Sequence, residues 1–88
     1  MKVLKFYSDT CGPCKQQGKI LDNLNLEVEA IDATDDNNEI LVEHYNIMNI
    51  PTLVFLDDED NVIGRFNGLT TQDKIEAFIK EHGKTDNS

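Results

Sequence analysis

The sequence has few positive charges, no long apolar run and only two cysteines, and each shortage excludes a class of function. Its 88 residues carry 8 Lys and Arg against 17 Asp and Glu, a formal net charge of −9. Nucleic-acid binding needs clusters of Lys and Arg to neutralise phosphates, and such clusters are absent. No stretch reaches the roughly 20 apolar residues of a membrane-spanning helix. We therefore expect neither a nucleic-acid partner nor a membrane partner.

The two cysteines, Cys11 and Cys14, are too few for a zinc site. Such a site needs four ligands, but there is no second cysteine pair, and the only histidines, His44 and His82, lie far outside zinc-finger spacing. A purely structural bridge across so short a loop would remove little entropy from the unfolded chain. Because no signal peptide precedes the cysteines, we expect them in a reducing cytoplasm, where redox chemistry is the better use of two thiols.

The pattern around the cysteines predicts where they lie in the fold. They fall between an extended apolar stretch at residues 3–7 and a segment with helical spacing at residues 15–24. Pro13 suits the first turn of a helix, where its missing N–H is not needed. Free N–H groups and the positive end of the dipole at that point favour a thiolate over a thiol. A strand, a Cys-x-x-Cys and a helix together predict a dithiol redox site.

The rest of the chain alternates between strand and helix patterns. Alternating residues at 26–31 predict a second strand that ends at Asp32, and residues 50–56 and 62–66 predict an antiparallel pair joined by a turn at 57–61. Acidic runs at 35–39 and 57–60 read as solvated loops. A second helix is predicted from the apolar and aromatic spacing of Ile40, Leu41, His44, Tyr45 and Met48. We interpret His44 as a residue at the edge of the core rather than a ligand.

The first and last helices have their own signals. The first should bury Ile20, Leu21 and Leu24, while Gly18 could mark a bend. Thr70 and Asp73 resemble a capping box for a last helix that stops at Gly83, and this helix should bury Ile75, Phe78 and Ile79. The predicted order is β-α-β-α-β-β-α, an α/β fold with a four-stranded mixed sheet flanked by three helices. One domain should span residues 1–83, followed by a polar tail at 84–88.

Two motifs in this order resemble those of a known family. Cys11-Gly12-Pro13-Cys14 followed by Lys15 is similar to the active site of thioredoxins, and Ile50-Pro51-Thr52 resembles their cis-proline signature. Gly68 matches a glycine common at that point of the family, and the resemblance runs from about residue 3 to residue 79. It implies a minimal, compact thioredoxin fold without the additional N-terminal strand and helix of larger members.

The resemblance also implies roles for the site residues. Cys11 would attack a substrate disulfide and Cys14 would resolve the mixed disulfide, with Gly12 and Pro13 setting the turn. A cis Pro51 would face the cysteines and leave the backbone of Ile50 free to pair with a substrate; Thr10, Tyr7, Thr52 and Gly68 would complete the binding surface. Judged on its residues alone, Pro51 could equally be an ordinary proline at the start of a strand.

Several positions depart from the family pattern. Thr10 and Tyr7 stand where the family usually has Trp, so the apolar shelf around the site is thinner. Lys19 stands where the family often has a helix-kinking proline, and Gly18 could supply that flexibility instead. Lys5 stands where most members have a buried Asp that assists the second cysteine. Its ammonium could favour a thiolate on Cys14 electrostatically. Alternatively, Lys5 could pair with Glu27 or Glu29 on the neighbouring strand, or turn its head to solvent.

The function implied by the resemblance is a small, monomeric, cytoplasmic protein-disulfide reductase that takes part in cell redox homeostasis. It would bind no cofactor; a thioredoxin reductase-type donor would use NADPH and FAD to recharge it. Its substrates would be disulfide-containing proteins. One alternative is a glutathione-recharged, glutaredoxin-like carrier, for example for ribonucleotide reductase, although the Cys-Pro-Tyr-Cys and Gly-Gly motifs of glutaredoxins are absent. Another is a redox-independent binding module that uses the groove at Pro51.

Overall fold

The computed structural model describes residues 1–83 and confirms the predicted order of elements. The strands are β1 (Lys2–Tyr7), β2 (Glu27–Asp32), β3 (Thr52–Leu56) and β4 (Val62–Asn67); the helices are α1 (Gly12–Asp22), α2 (Glu39–His44) and α3 (Gln72–Gly83), with a short 3₁₀ turn, Asp36–Asn38, before α2. The predicted tail at 84–88 lies outside the described residues. Within residues 1–83, every helix is too short or too polar to cross a bilayer.

The four strands form one mixed sheet in the order β2-β1-β3-β4. β1 runs parallel to β2 and antiparallel to β3, and β4 is antiparallel to β3. The register places Tyr7 opposite Asp32, and Thr52 opposite both Phe6 and Asn67. The ends of β1, β2 and β4 and the start of β3 therefore share one edge of the sheet, which we call the upper edge.

Apolar side chains cover both faces of the sheet, as alternation along the strands requires. One face packs against α1 and α3, and its buried residues are Val3, Leu21, Leu53, Phe55 and Ile75. The other face lies beneath α2, and its buried residues are Leu4, Phe6, Ile31, Val54 and Leu56. The central strand β3 is buried along its whole length, which explains its continuous apolar sequence.

The first and last helices bury the stripes that the sequence predicts, with one correction at a helix start. Leu21 and Ile75 are buried, and Ile20, Leu24, Phe78 and Ile79 pack against them in partly buried positions. α3 is capped by Thr71, whose Oγ1 accepts a hydrogen bond from the Lys74 N–H at 3.4 Å. The predicted cap at Thr70 is wrong because the Thr70 hydroxyl donates instead to the Gly68 carbonyl oxygen at 3.0 Å.

The second helix is shorter than its apolar spacing predicts. α2 ends at His44, and Asn46 adopts a left-handed conformation with φ of 52°, which breaks the stripe before Met48. Ile40 and Met48 are each 79% exposed, so the prediction that they lie on the buried face of a helix is wrong. His44 is exposed, with its ring edge-on to Tyr45 at 4.7 Å. No group of residues within 1–83 could hold a metal ion.

Candidate active site

The two cysteines lie at the upper edge, at the junction of β1 and α1. After β1 ends at Tyr7, the chain turns, and the Cys11 N–H donates to the Ser8 carbonyl oxygen at 3.2 Å. Cys11 is the N-cap of α1 with φ of −89° and ψ of 107°, and Gly12 and Pro13 form the start of the helix. The predicted placement of the cysteines in the first helical turn is confirmed.

Cys11 and Cys14 are joined by a disulfide, with their Cα atoms 5.2 Å apart. Cys11 is partly exposed, whereas Cys14 is only 2% exposed. The Cys14 N–H points at the Cys11 Sγ from 3.1 Å, and the first turn of α1 contains no acidic residue. After reduction, this N–H and the helix dipole would stabilise a thiolate on Cys11. The pair thus combines an accessible sulfur with a second sulfur shielded behind it.

Pro51 lies at the same upper edge, one residue before Thr52 and opposite the end of β1. Its ring is buried, and the Ile50–Pro51 peptide bond is cis, as the resemblance implies. The Gly68 N–H donates to the Pro51 carbonyl oxygen at 2.8 Å. Gly68 has φ of 97°, a backbone conformation that favours glycine. A glycine at this position can therefore adopt the conformation in which its N–H reaches Pro51.

The other residues predicted for the binding surface surround the same edge. Thr52 is buried, and its hydroxyl donates to the Asn49 carbonyl oxygen at 2.5 Å, which fixes the chain ahead of Pro51. Thr10 is exposed, with its hydroxyl 3.5 Å from that of Ser8. Ile50 and Tyr7 are partly exposed. The topology therefore brings the predicted residues from three separate parts of the chain to one region.

Lys5 lies beneath α1, on the opposite face of the sheet from Glu27 and Glu29. Alternation along β1 places it on the same face as Val3, whereas Lys2 faces the other way and takes Glu29 as its partner at 2.8 Å. The alternative in which Lys5 pairs with Glu27 or Glu29 is therefore wrong. Within residues 1–83, no carboxylate lies within ion-pair distance of Lys5.

The Lys5 side chain occupies space that Gly18 leaves open. A Cβ atom at Gly18 would lie 3.0 Å from the Lys5 Nζ, which is also 5.4 Å from the centre of the Tyr7 ring. Lys5 and Cys14 line the same cavity of about 200 Å³, together with Tyr7, Ser8, Asp9 and Lys15. Gly18, predicted as a bend, thus provides room for a cationic side chain close to the buried cysteine.

Two residues near the site, Gln17 and Arg65, are not among those that the sequence predicts. Gln17 is fully buried on α1 and binds the backbone of Thr70 with both ends of its amide: its Nε2 donates to the Thr70 carbonyl oxygen at 3.1 Å, and its Oε1 accepts from the Thr70 N–H at 2.7 Å. The sequence feature that indicates this burial is its position one turn before Leu21, on the buried face of the helix.

Arg65 is the second residue that was missed, and it supports the segment that leads to Pro51. Its guanidinium donates to the Tyr45 carbonyl oxygen at 2.5 Å and to the Asn67 side-chain oxygen at 3.0 and 3.1 Å. The bond to Tyr45 connects β4 to the end of α2, and the bonds to Asn67 hold the guanidinium within β4. A lone arginine in a strand pattern gives no indication of such a contact.

Asp32, at the end of β2, carries a carboxyl group opposite Tyr7 in the register of the sheet. Hydrogen bonds from the Thr34 hydroxyl at 2.6 Å and the Thr34 N–H at 2.9 Å lower the pKa of Asp32. A carboxylate stabilised in this way is a weak base at neutral pH. Asp32 is therefore poorly suited to accept a proton from a thiol.

Comparison with known proteins agrees with this geometry. A sequence model of the thioredoxin family matches residues 1–81 of the chain. The chain belongs to the thioredoxin family. This thioredoxin-family chain is 36% identical over 84 residues to Thioredoxin-T of Drosophila melanogaster, covering 91% of the chain and 52% of that protein. It is 30% identical over 83 residues to a thioredoxin of Chlamydia caviae, covering 91% of the chain and 80% of the relative.

The structural comparison confirms the thioredoxin fold. Thioredoxin 1 from Thermosipho africanus superposes with a TM-score of 0.80 and 24% sequence identity, and the match covers 100% of both chains. The chain spans about half the length of the Drosophila protein and 80% of the length of the Chlamydia protein.

Proposed function

We propose that this protein is a protein-disulfide reductase that carries electrons on Cys11 and Cys14. The observation that supports this most strongly is the unequal exposure of two bonded sulfurs at a helix N-terminus, where Cys14 is 2% exposed and Cys11 is partly exposed. An accessible sulfur can meet a sulfur of another protein, and the shielded one can react only with its neighbour. Membership of the thioredoxin family supports the same chemistry.

The reaction has two thiol–disulfide exchange steps. In the reduced protein, the Cys11 thiolate attacks one sulfur of a substrate disulfide; an S–S bond forms to Cys11, and the other substrate sulfur leaves as a thiolate that takes up a proton. Cys14 then loses its proton and attacks the Cys11 sulfur, which releases the second substrate thiol. The Cys11–Cys14 disulfide results, and two electrons have passed to the substrate.

We propose that the substrate binds at the upper edge, beside the cysteines. An extended segment of the substrate would pair with the backbone of Ile50, next to Pro51, with Thr10 and Tyr7 on the side of the cysteine loop. Thr52 and Gly68 would hold this surface in shape through their hydrogen bonds to Asn49 and Pro51. The surface has no Trp, so we propose a narrower range of substrates than a Trp-lined site would allow.

The oxidised protein must be reduced again by an external donor. We propose a flavoprotein reductase that takes electrons from NADPH through FAD, so the protein itself needs no bound cofactor because its two thiols carry the electrons. Such a cycle runs in a reducing compartment, and we place the protein in the cytoplasm. Ribonucleotide reductase is one disulfide-forming enzyme that it could serve, and a monomer is sufficient for the chemistry.

The first test is the reduction of insulin disulfides by dithiothreitol. We expect the wild type to accelerate the reaction and the Cys11→Ser/Cys14→Ser double variant to be no faster than dithiothreitol alone, since the electrons travel only through these sulfurs. If the double variant still binds a protein that the wild type binds in a pull-down experiment, the result would favour a redox-independent binding module instead. A wild type that gives no acceleration would contradict the proposed reductase.

We further propose that Lys5 favours the thiolate of Cys14 in the second step. Lys5 and Cys14 share a cavity, and within residues 1–83 no carboxylate forms an ion pair with Lys5, although Asp9 and Lys15 also line the cavity. A nearby ammonium stabilises a thiolate and so lowers the pKa of a thiol. This would replace assistance by a base with assistance by a positive charge.

Replacing Lys5 by Met should raise the pKa of the Cys14 thiol and slow the release of a trapped substrate about tenfold near neutral pH, because fewer molecules would carry the thiolate. The measurement is the rate of product release from a preformed mixed disulfide as a function of pH. Lys19→Met is the matched control, since it removes an equal charge from an exposed position on α1. An unchanged pH profile in Lys5→Met would eliminate the electrostatic role.

A further inference from the structure

Gln17 is the only polar side chain of α1 that is fully buried in the described part of the chain, at 0% exposure. It lies one turn after Cys14, on the face that packs against the sheet and α3. Burying a side-chain amide costs free energy unless both its donor and its acceptor form hydrogen bonds. Both are satisfied here, by the N–H and the carbonyl oxygen of Thr70, which lies 53 residues further along the chain.

Thr70 is part of a short path of hydrogen bonds that leads to Pro51. Its hydroxyl donates to the Gly68 carbonyl oxygen at 3.0 Å, and the Gly68 N–H donates to the Pro51 carbonyl oxygen at 2.8 Å. Gly68 and Leu69 have no regular secondary structure to hold them, because β4 ends at Asn67 and α3 begins at Gln72. The amide of Gln17 is therefore what attaches this connection to the helix that carries the cysteines.

We infer that Gln17 is a positioning residue that fixes the substrate-binding surface at Pro51 relative to the Cys11–Cys14 pair. It does not touch the reacting sulfurs. It acts through Thr70 and Gly68, which place the Pro51 carbonyl group and so the backbone that receives the substrate. This role rests on the proposed reductase function and adds a determinant of substrate affinity to it.

An apolar side chain at this position would fill the space without making the connection. It would leave the N–H and the carbonyl group of Thr70 without partners at a site that is 6% exposed. The connection could then satisfy these groups only by moving towards water, and Gly68 would move with it. The cysteines at the start of α1 would keep their own hydrogen bonds, since Cys11 is held by Ser8 and Cys14.

The first measurement is the hydrogen-exchange rate of the Gly68 amide in Gln17→Met, compared with that of the Ala33 amide. Ala33 is a suitable internal reference because its N–H also lies at the upper edge and donates to the Tyr7 carbonyl oxygen at 2.8 Å, away from Gln17. We expect the Gly68 amide to exchange about tenfold faster relative to Ala33, as for the loss of a buried hydrogen bond. An unchanged ratio would overturn the inference.

A second variant, Gln17→Glu, guards against a general loss of folding. A protonated carboxyl group offers one donor and one acceptor, as the amide does, whereas the ionised form has no donor for the Thr70 carbonyl oxygen. Burial raises the pKa of such a carboxyl group, so the neutral form persists at mildly acidic pH. The exchange ratio should match the wild type there and rise as the pH increases through that pKa. A ratio independent of pH would contradict the role of Gln17.

Steady-state kinetics on insulin test the consequence for function. Gln17→Met should raise KM about tenfold while kcat changes by less than about twofold, because binding and not sulfur chemistry is affected. Ile75→Val is the control, since it trims a buried side chain of α3 outside the hydrogen-bond path. It should leave both KM and the exchange ratio unchanged. Equal loss of kcat in Gln17→Met, or an unchanged KM, would overturn the inference.

These results separate two failures. An inactive wild type would contradict the reductase function, and the exchange ratio would still decide whether Gln17 holds Gly68. An active wild type whose KM is not affected by Gln17→Met would leave the reductase intact and overturn the positioning role alone.

Discussion

A Cys14→Ser variant incubated with an oxidised protein substrate should accumulate a covalent complex through Cys11, whereas Cys11→Ser should accumulate none. Without Cys14, the mixed disulfide formed by Cys11 has no internal sulfur to resolve it. Without Cys11, the remaining thiol is 2% exposed and cannot reach a sulfur on another protein. Turnover in either variant should fall by at least about a hundredfold, the scale expected for loss of a nucleophile. The complex is measured by mass spectrometry without added reductant.

The Cys11→Ser/Cys14→Ser variant is the control for noncovalent association and should give no complex. The serine hydroxyl occupies nearly the same volume as the thiol, so the fold around α1 should persist in each variant. A complex that forms through Cys14 in Cys11→Ser would reverse the assigned roles. It would mean that the helix start opens enough in solution to expose the second sulfur.

The second large effect concerns stability: Phe55→Ala should lower the free energy of unfolding by about 3–5 kcal/mol. Phe55 is 0% exposed at the centre of the sheet, and its ring lies 4.5 Å from that of Phe78 and 5.9 Å from that of Phe66. Gly64 keeps the space beside these rings open, since a Cβ there would lie 2.5 Å from a ring atom of Phe78. The rings are therefore closely packed, and the cavity left by Phe55 would not collapse easily.

A domain of this size has only about 4–13 kcal/mol of stability, so this loss should be large enough to leave part of the protein unfolded. Urea denaturation measures it, with Val62→Ala as the control because Val62 is 52% exposed on the neighbouring strand. The control should change stability by less than about 0.5 kcal/mol. Similar values for the two variants would show that the cluster of Phe55, Phe66 and Phe78 is not the centre of the core.

The sequence was sufficient for the order of the elements and for the location of the redox pair, because both depend on local patterns. Residue alternation defined the strands, and the run from Cys11 to Cys14 combined a helix start with two thiols. The cis geometry at Pro51 came from family resemblance, since the residues themselves were equally consistent with an ordinary strand start. The predicted length of α2 was wrong because Asn46, in a left-handed conformation, interrupts an apolar spacing that continues beyond it.

Contacts between distant parts of the chain could not be read from local patterns. The partner of Gln17 lies 53 residues away, and only the packing of α1 against α3 brings the two together. The position of Lys5 depends on the space at Gly18, which a sequence pattern treats as a possible bend. In both cases a polar side chain lies on a face that should be apolar, and the fold decides which group it meets.

A single-turnover experiment tests the central claim most directly. Fully reduced protein is mixed with an equal amount of oxidised insulin, with no other reductant present, and the state of Cys11 and Cys14 is followed by mass spectrometry after thiol alkylation. We predict that one Cys11–Cys14 disulfide forms for each insulin disulfide that opens. If insulin disulfides open while Cys11 and Cys14 remain thiols, or if neither changes, the protein is not a dithiol reductase of this kind.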